Sequence, residues 1–170
     1  DDITQAAPGK RPVAMLFQDS NLFPHLTVAQ NVGLGRHPDL RLSTMDHAAV
    51  KDAIARVGLI GTETRKPAAL SGGQQSRVAL ARILVQGKPL LLLDEPFAAL
   101  GPALKAEMLD LVDQLVRETG ATLLMVSHDP ADARRIADQV ILVAEGTAAP
   151  PQDTAALLDD PPPVLRDYLG

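Results

Sequence analysis

Three short apolar runs punctuate the chain: "PVAMLF" from Pro12 to Phe17, "PLLLLD" from Pro89 to Asp94, and "ATLLMVSH" from Ala121 to His128. None alternates cleanly, which is the pattern of strands buried on both faces. Each stops at polar side chains, namely Gln18, Asp94 with Glu95, and His128. Between the last two runs Leu104, Met108, Leu111 and Leu115 recur at helical spacing, with Pro102 suited to a first turn and Gly120 to a C-cap. Strand, helix and strand in that order predict a βαβ unit in a parallel sheet. Such sheets bind ligands outside the carboxyl ends of their strands, where all four polar residues fall.

Residues 19–87 read differently. Thr27 is placed to cap a helix beginning "VAQNVGL", Ser43 or Thr44 stands before an Ala-rich helix, and Val78, Leu80, Ala81 and Leu84 keep a helical period. This stretch is expected to be an inserted helical subdomain. Beyond Ala137, "QVILVAEG" predicts a strand with a turn at Gly146, and "DTAALLDD" a short helix before a mobile, Pro-rich tail. No internal repeat or low-complexity tract interrupts the pattern.

Composition narrows the picture. With 170 residues, 46% of them hydrophobic, the chain can bury a core as one domain or one domain with a subdomain. It contains no Cys, so it has no disulfide framework, thiolate metal site or cysteine nucleophile, which suits a reducing cytosol. Sixteen basic against 21 acidic residues give a net charge of −5 with no basic stripe, so nucleic acid is not an expected partner. A bilayer span needs roughly 20 uninterrupted apolar residues, and "PLLLL" is followed at once by Asp94. The first residues show neither the basic n-region nor the apolar h-region of a signal peptide.

Chemistry concentrates at a few places. In "LSGGQ" (Leu70 to Gln74), Ser71 sits where an N-cap belongs, and Gly72 and Gly73 leave bare backbone at a helix N-terminus. Unpaired N–H groups and the positive end of the helix dipole there suit a phosphate, although S-G-G alone also reads as an ordinary serine cap after a glycine turn. Asp94 and Glu95 follow an apolar strand at the carboxyl edge of a sheet. The first carboxylate can hold Mg²⁺ through water and the second can orient or deprotonate an attacking water, which suits nucleoside triphosphate hydrolysis. Adjacent acids at a strand end are otherwise a solvated loop. Gln18 can join the metal and water shell, and His128 can contact a terminal phosphate.

Together these residues resemble the nucleotide-binding subunit of an ABC transporter, over about Val13 to Gly146. Gln18 looks like the Q-loop glutamine, "LSGGQ" like the family signature, Asp94 and Glu95 like the Walker B aspartate and catalytic glutamate, and His128 like the switch histidine. The resemblance implies an α/β P-loop NTPase fold: a mostly parallel sheet flanked by helices, with a catalytic core over 1–18 and 88–170 and a helical subdomain over 19–87. It implies ATP and Mg²⁺, with Glu95 and His128 catalytic, Gln18, Ser71, Gly72, Gly73, Gln74 and Asp94 at the nucleotide, and Gln18 and Asp94 at the metal. It also implies a head-to-tail dimer with a second ATPase subunit, in which Ser71, Gly72 and Gly73 meet the γ-phosphate held by the partner. Membrane permease subunits and, indirectly, a periplasmic substrate-binding protein complete the implied assembly, on the inner face of the bacterial membrane. Within the family, "AMLFQDSNLFPHLTVAQNVGLG" and "TLLMVSHDPADARRIAD" look most like the ATPase of bacterial thiamine importers.

Two departures qualify the resemblance. A P-loop, G-x-x-x-x-G-K-S/T, should precede Gln18; it is absent, and "PGKR" and "GKP" are decoys without the hydroxyl or the earlier Gly. The chain therefore resembles an N-terminally truncated nucleotide-binding domain, expected to be inactive alone. Gly101 stands where the family usually has an aspartate resembling an intersubunit contact, and Ser76 replaces a frequent Gln. His25, His37 and His47 lack metal-ligand spacing and are expected at the surface. The alternatives to an importer ATPase are a soluble ABC-type ATPase of DNA repair or translation, which usually carries coiled coils or a second cassette, and a non-catalytic interaction fragment.

Overall fold

The computed structural model describes residues 2–18 and 21–169; Asp1, Asp19, Ser20 and Gly170, which fall within the expected domain spans, lie outside the described residues. The chain forms two compact units, Asp1–Val126 and Ser127–Gly170.

In the first unit, strands β1 (Val13–Leu16), β2 (Leu90–Asp94) and β3 (Thr122–Val126) form a parallel sheet in the order β1-β2-β3. Helices α1 (Val28–Gly33), α2 (Thr44–Arg56) and α3 (Gly72–Leu84) lie between β1 and β2 in sequence, and α4 (Pro102–Thr119) joins β2 to β3. The fold is thus α/β with a parallel sheet flanked by helices, as the three apolar runs predict.

Local chemistry sets the helix ends. Thr27 with Gln30, Ser43 with Asp46 and Ser71 with Gln74 each form a capping box, in which the side chains reciprocally satisfy backbone N–H groups at the first turn. Pro102 opens α4, and Gly120 closes it in the left-handed conformation (φ 65°). Val28, Val32, Ile54, Val57, Val78, Leu80 and Ile83 form a buried core among α1, α2 and α3. Arg36 fastens the same three helices: its Nε donates to Asp46 Oδ1 at 2.8 Å and its Nη1 to the Val85 carbonyl at 3.1 Å.

The expectation of strands buried on both faces holds for one face. Ala14, Leu16, Leu91 and Leu93 are buried, and α3 contacts β1. Register places Met15, Leu92 and Leu124 on the opposite pleat, where Met15 is 48%, Leu124 50% and Val126 54% exposed. Alternation of side chains across the pleat turns a continuous apolar run into one covered and one open row. On α4 the buried stripe is Met108, Leu109, Val112 and Leu115, with Leu104 and Leu111 only half-buried.

The second unit contains α5 (Pro130–Ile136), two antiparallel two-residue ladders, α6 (Thr154–Asp159) and α7 (Pro163–Leu169). The expected single strand over "QVILVAEG" is divided: β4 (Gln139–Val140) pairs with β7 (Gln152–Asp153), and β5 (Val143–Ala144) pairs with β6 (Thr147–Ala148) around Gly146 at φ 74°. The tail expected to be mobile is instead helical. Pro163 occupies a first turn, where its missing N–H costs nothing, and Leu165 is buried.

Candidate functional site

The signature stretch is built as a helix start with two different glycines. Ser71 Oγ accepts from the Gln74 N–H at 3.3 Å, while Gln74 Oε1 accepts from the Ser71 N–H at 3.0 Å. This box leaves the N–H groups of Gly72 and Gly73 without an acceptor among the described residues. Gly72 is exposed, and a Cβ built on it would have nothing within 4 Å. Gly73 is buried, and a Cβ there would lie 2.5 Å from Leu104 Cδ2 of α4. Gly73 is therefore accounted for by internal packing, whereas the bare backbone of Gly72 faces outward.

The carboxylates stand at the carboxyl end of β2. Asp94 is the last strand residue and exposed. Glu95 is half-buried and adopts a left-handed backbone (φ 42°), with its N–H donating to the Val126 carbonyl at 3.0 Å and its carbonyl accepting from the Ala98 N–H at 3.3 Å. Phe97, 2% exposed, anchors the turn that follows. Gln18 is exposed at the end of β1. Counting from the Leu16–Leu93 register pair, Gln18 and Glu95 each lie two residues further on, so neighbouring parallel strands bring Gln18, Asp94 and Glu95 to one sheet edge.

His128 belongs to the second unit and lies exposed in the loop before α5. That loop is tightly hydrogen-bonded: Ser127 Oγ donates to the buried Asp132 carboxylate and accepts from the Asp129 N–H at 3.1 Å. Asp129 Oδ1 in turn accepts from the Ala131 N–H at 3.0 Å and caps α5. Tyr168 OH donates to the His128 carbonyl at 2.7 Å.

Several of these supporting groups escape sequence reading. The Val126 carbonyl is a backbone acceptor with no residue signature, Leu104 reads only as part of an apolar stripe, and Tyr168 is 40 residues from His128. Two of the other three histidines have local roles: His25 meets Phe23 edge-on with ring centroids 6.0 Å apart, and His37 Nδ1 accepts from the Asp39 N–H at 3.2 Å. Among the described residues, no group of three or more His, Asp or Glu side chains gathers to hold a metal. Nor, among them, is any helix long and apolar enough to cross a membrane.

An exposed helix start with open backbone, together with paired carboxylates at a parallel-sheet edge, suits an anionic phosphate ligand and a hard cation held through oxygen. Comparison with known proteins points the same way. The ABC transporter family profile matches residues 2–98. The thiamine import ATP-binding protein ThiQ of Ruegeria sp. (strain TM1040) is 70% identical over 170 residues, covering 100% of this chain and 74% of that protein. Its counterpart from Cereibacter sphaeroides is 62% identical over 169 residues, covering 99% of this chain and 73% of the relative. That from Brucella suis is 55% identical over 170 residues, covering 99% and 70%.

Proposed function

The chain belongs to the ABC transporter family, and from that premise we propose that it is the ATP-hydrolysing subunit of an importer whose transported substrate is thiamine. The substrate follows from the similarity to thiamine import ATP-binding proteins at up to 70% identity across the full chain. The observation that carries the catalytic reading is the Asp94–Glu95 pair at the sheet edge, with Glu95 held in a left-handed turn by the Val126 carbonyl.

Bound Mg-ATP supplies the phosphoanhydride and its charge-neutralising cation. Glu95 accepts the proton of the attacking water at its carboxylate. Asp94 and the Gln18 amide would hold Mg²⁺, in part through water. The Ser71 hydroxyl and the open N–H of Gly72 hold the terminal phosphate of a nucleotide bound by a second copy arranged head to tail, with Gly73 and Gln74 shaping that helix start. His128 contacts a terminal phosphate. Residues 1–18 and 88–170 act as the catalytic core and 19–87 as the helical subdomain that passes dimer closure to a membrane permease. The permease receives its cargo from a periplasmic substrate-binding protein, and the assembly sits on the inner membrane face.

These 170 residues contain no G-x-x-x-x-G-K-S/T, so the second reading is that the chain by itself is a non-catalytic partner for a nucleotide held elsewhere. Calorimetry with Mg-ATP tests both. The 170-residue chain is expected to show no binding, and a version carrying an N-terminal P-loop segment to bind. In that version Glu95→Gln retains binding and lowers turnover by about 10²- to 10⁴-fold. Tight binding by the short chain, or turnover unchanged by Glu95→Gln, overturns the assignment.

A further inference from the structure

The signature helix is anchored at its far end as well as at its start. α3 starts at Gly72 and runs for 13 residues to Leu84, a rod of about 20 Å at about 1.5 Å per residue. Near its far end Arg82 reaches out of the helix, and its Nη1 donates to the carbonyl of Asn21 at 2.8 Å. Asn21 lies three residues beyond Gln18 and has a left-handed backbone (φ 46°), a conformation that Asn adopts more readily than other non-glycine residues.

The rest of that loop is held from the other side by α1. Asn31 is fully buried; its Oδ1 accepts from the Phe23 N–H at 2.8 Å, and its Nδ2 lies 3.0 to 3.2 Å from the carbonyls of Phe23, Leu26 and Thr27. The chain just after α1 is in turn pressed against α3 at the same point, since a Cβ built on Gly35 would lie 2.3 Å from the Arg82 carbonyl. Burial lowers the Arg82 pKa, as expected for a guanidinium withdrawn from water.

We infer that Arg82 is a positioning residue that ties the Asn21–Leu26 loop, which comes after Gln18 in sequence, to the signature helix, so that the Ser71–Gln74 end and that loop move as one body. Displacement of the helix start by a phosphate is then transmitted along α3 to the loop, and the reverse holds equally. The functional meaning rests on the roles proposed for Gln18 and Ser71–Gln74, whereas the mechanical link stands on the hydrogen bonds alone.

Amide hydrogen exchange resolved by NMR on the 170-residue chain, without nucleotide, reads the link directly. In Arg82→Met the amides of Phe23 and Leu26 exchange about tenfold or more faster, because a charge-assisted bond holding their loop is gone, while amides of Val78 to Ile83 change by less than about twofold. Arg82→Lys, with the aliphatic stem retained and a shorter reach, serves if Arg82→Met does not fold, and again accelerates the loop more than α3. Unchanged exchange at Phe23 and Leu26 overturns the inference. So does equal acceleration in the loop and α3, which would make Arg82 a general stabiliser of the fold. Since no nucleotide is present, either failure leaves the ATPase assignment to its own test.

Discussion

The Glu95 N–H donates to the carbonyl of Val126 at 3.0 Å, while Glu95 itself sits at φ 42°. One residue past the paired region of β2, the chain thus turns sharply but stays bonded to β3.

A non-glycine residue in this region costs about 1–2 kcal/mol. Glu95→Gly removes that strain and gives back about 0.5–1 kcal/mol in unfolded-chain entropy. Urea denaturation is expected to show Glu95→Gly at least as stable as the parent and Glu95→Val less stable by about 1–2 kcal/mol. A Gly variant that loses stability would mean that the turn is not strained.

The two signature glycines separate on substitution. Gly72→Ala meets nothing within 4 Å and improves helix propensity, so it should raise stability by about 0.5–1 kcal/mol while obstructing an anion at the helix start. Gly73→Val collides with Leu104 of α4 and should cost about 1–3 kcal/mol. Adding Leu104→Ala should recover part of that loss, and a double-mutant cycle by thermal melting measures the coupling.

Gly101 is the N-cap of α4 but makes no side-chain capping bond, and a Cβ there would have nothing within 4 Å. Gly101→Asp supplies the missing acceptor and a negative charge at the positive end of the helix. The expected gain is a few tenths of a kcal/mol, up to about 1, seen as a higher melting temperature. A lower one would refute the capping geometry.

Acid should loosen the helical part of the first unit. Hydrogen bonds from Arg36 and then Ser43 hold the Asp46 carboxyl at about 2, below its ordinary 3.8. A folded-state value below the unfolded one stabilises above about pH 3.8 and loses that contribution as pH falls through about 2. Asp46→Asn should therefore flatten the pH dependence of stability between these limits, measured by urea unfolding at a series of pH values. An unchanged acid limb would exclude Asp46 as its source.

Much of the molecule is determined locally and so can be read from the residues. The three apolar runs specify the strands, and their bounding polar groups mark Gln18, Asp94, Glu95 and His128 as strand-end residues. Ser and Thr followed three positions later by Gln or Asp specify helix starts at Thr27, Ser43 and Ser71, because capping involves one turn of chain. Pro102 and Gly120 likewise delimit α4. Tertiary structure decided what depends on distant partners. The split between an outward Gly72 and a packed Gly73 depends on Leu104, the turn at Glu95 on a carbonyl of β3, and the grip on Asn21 on Arg82. Leu92 illustrates the division. Its apolar run predicts a strand, but its half-exposed face reflects which side of the pleat neighbouring helices cover, and burial is a property of neighbours that a residue's own chemistry does not contain.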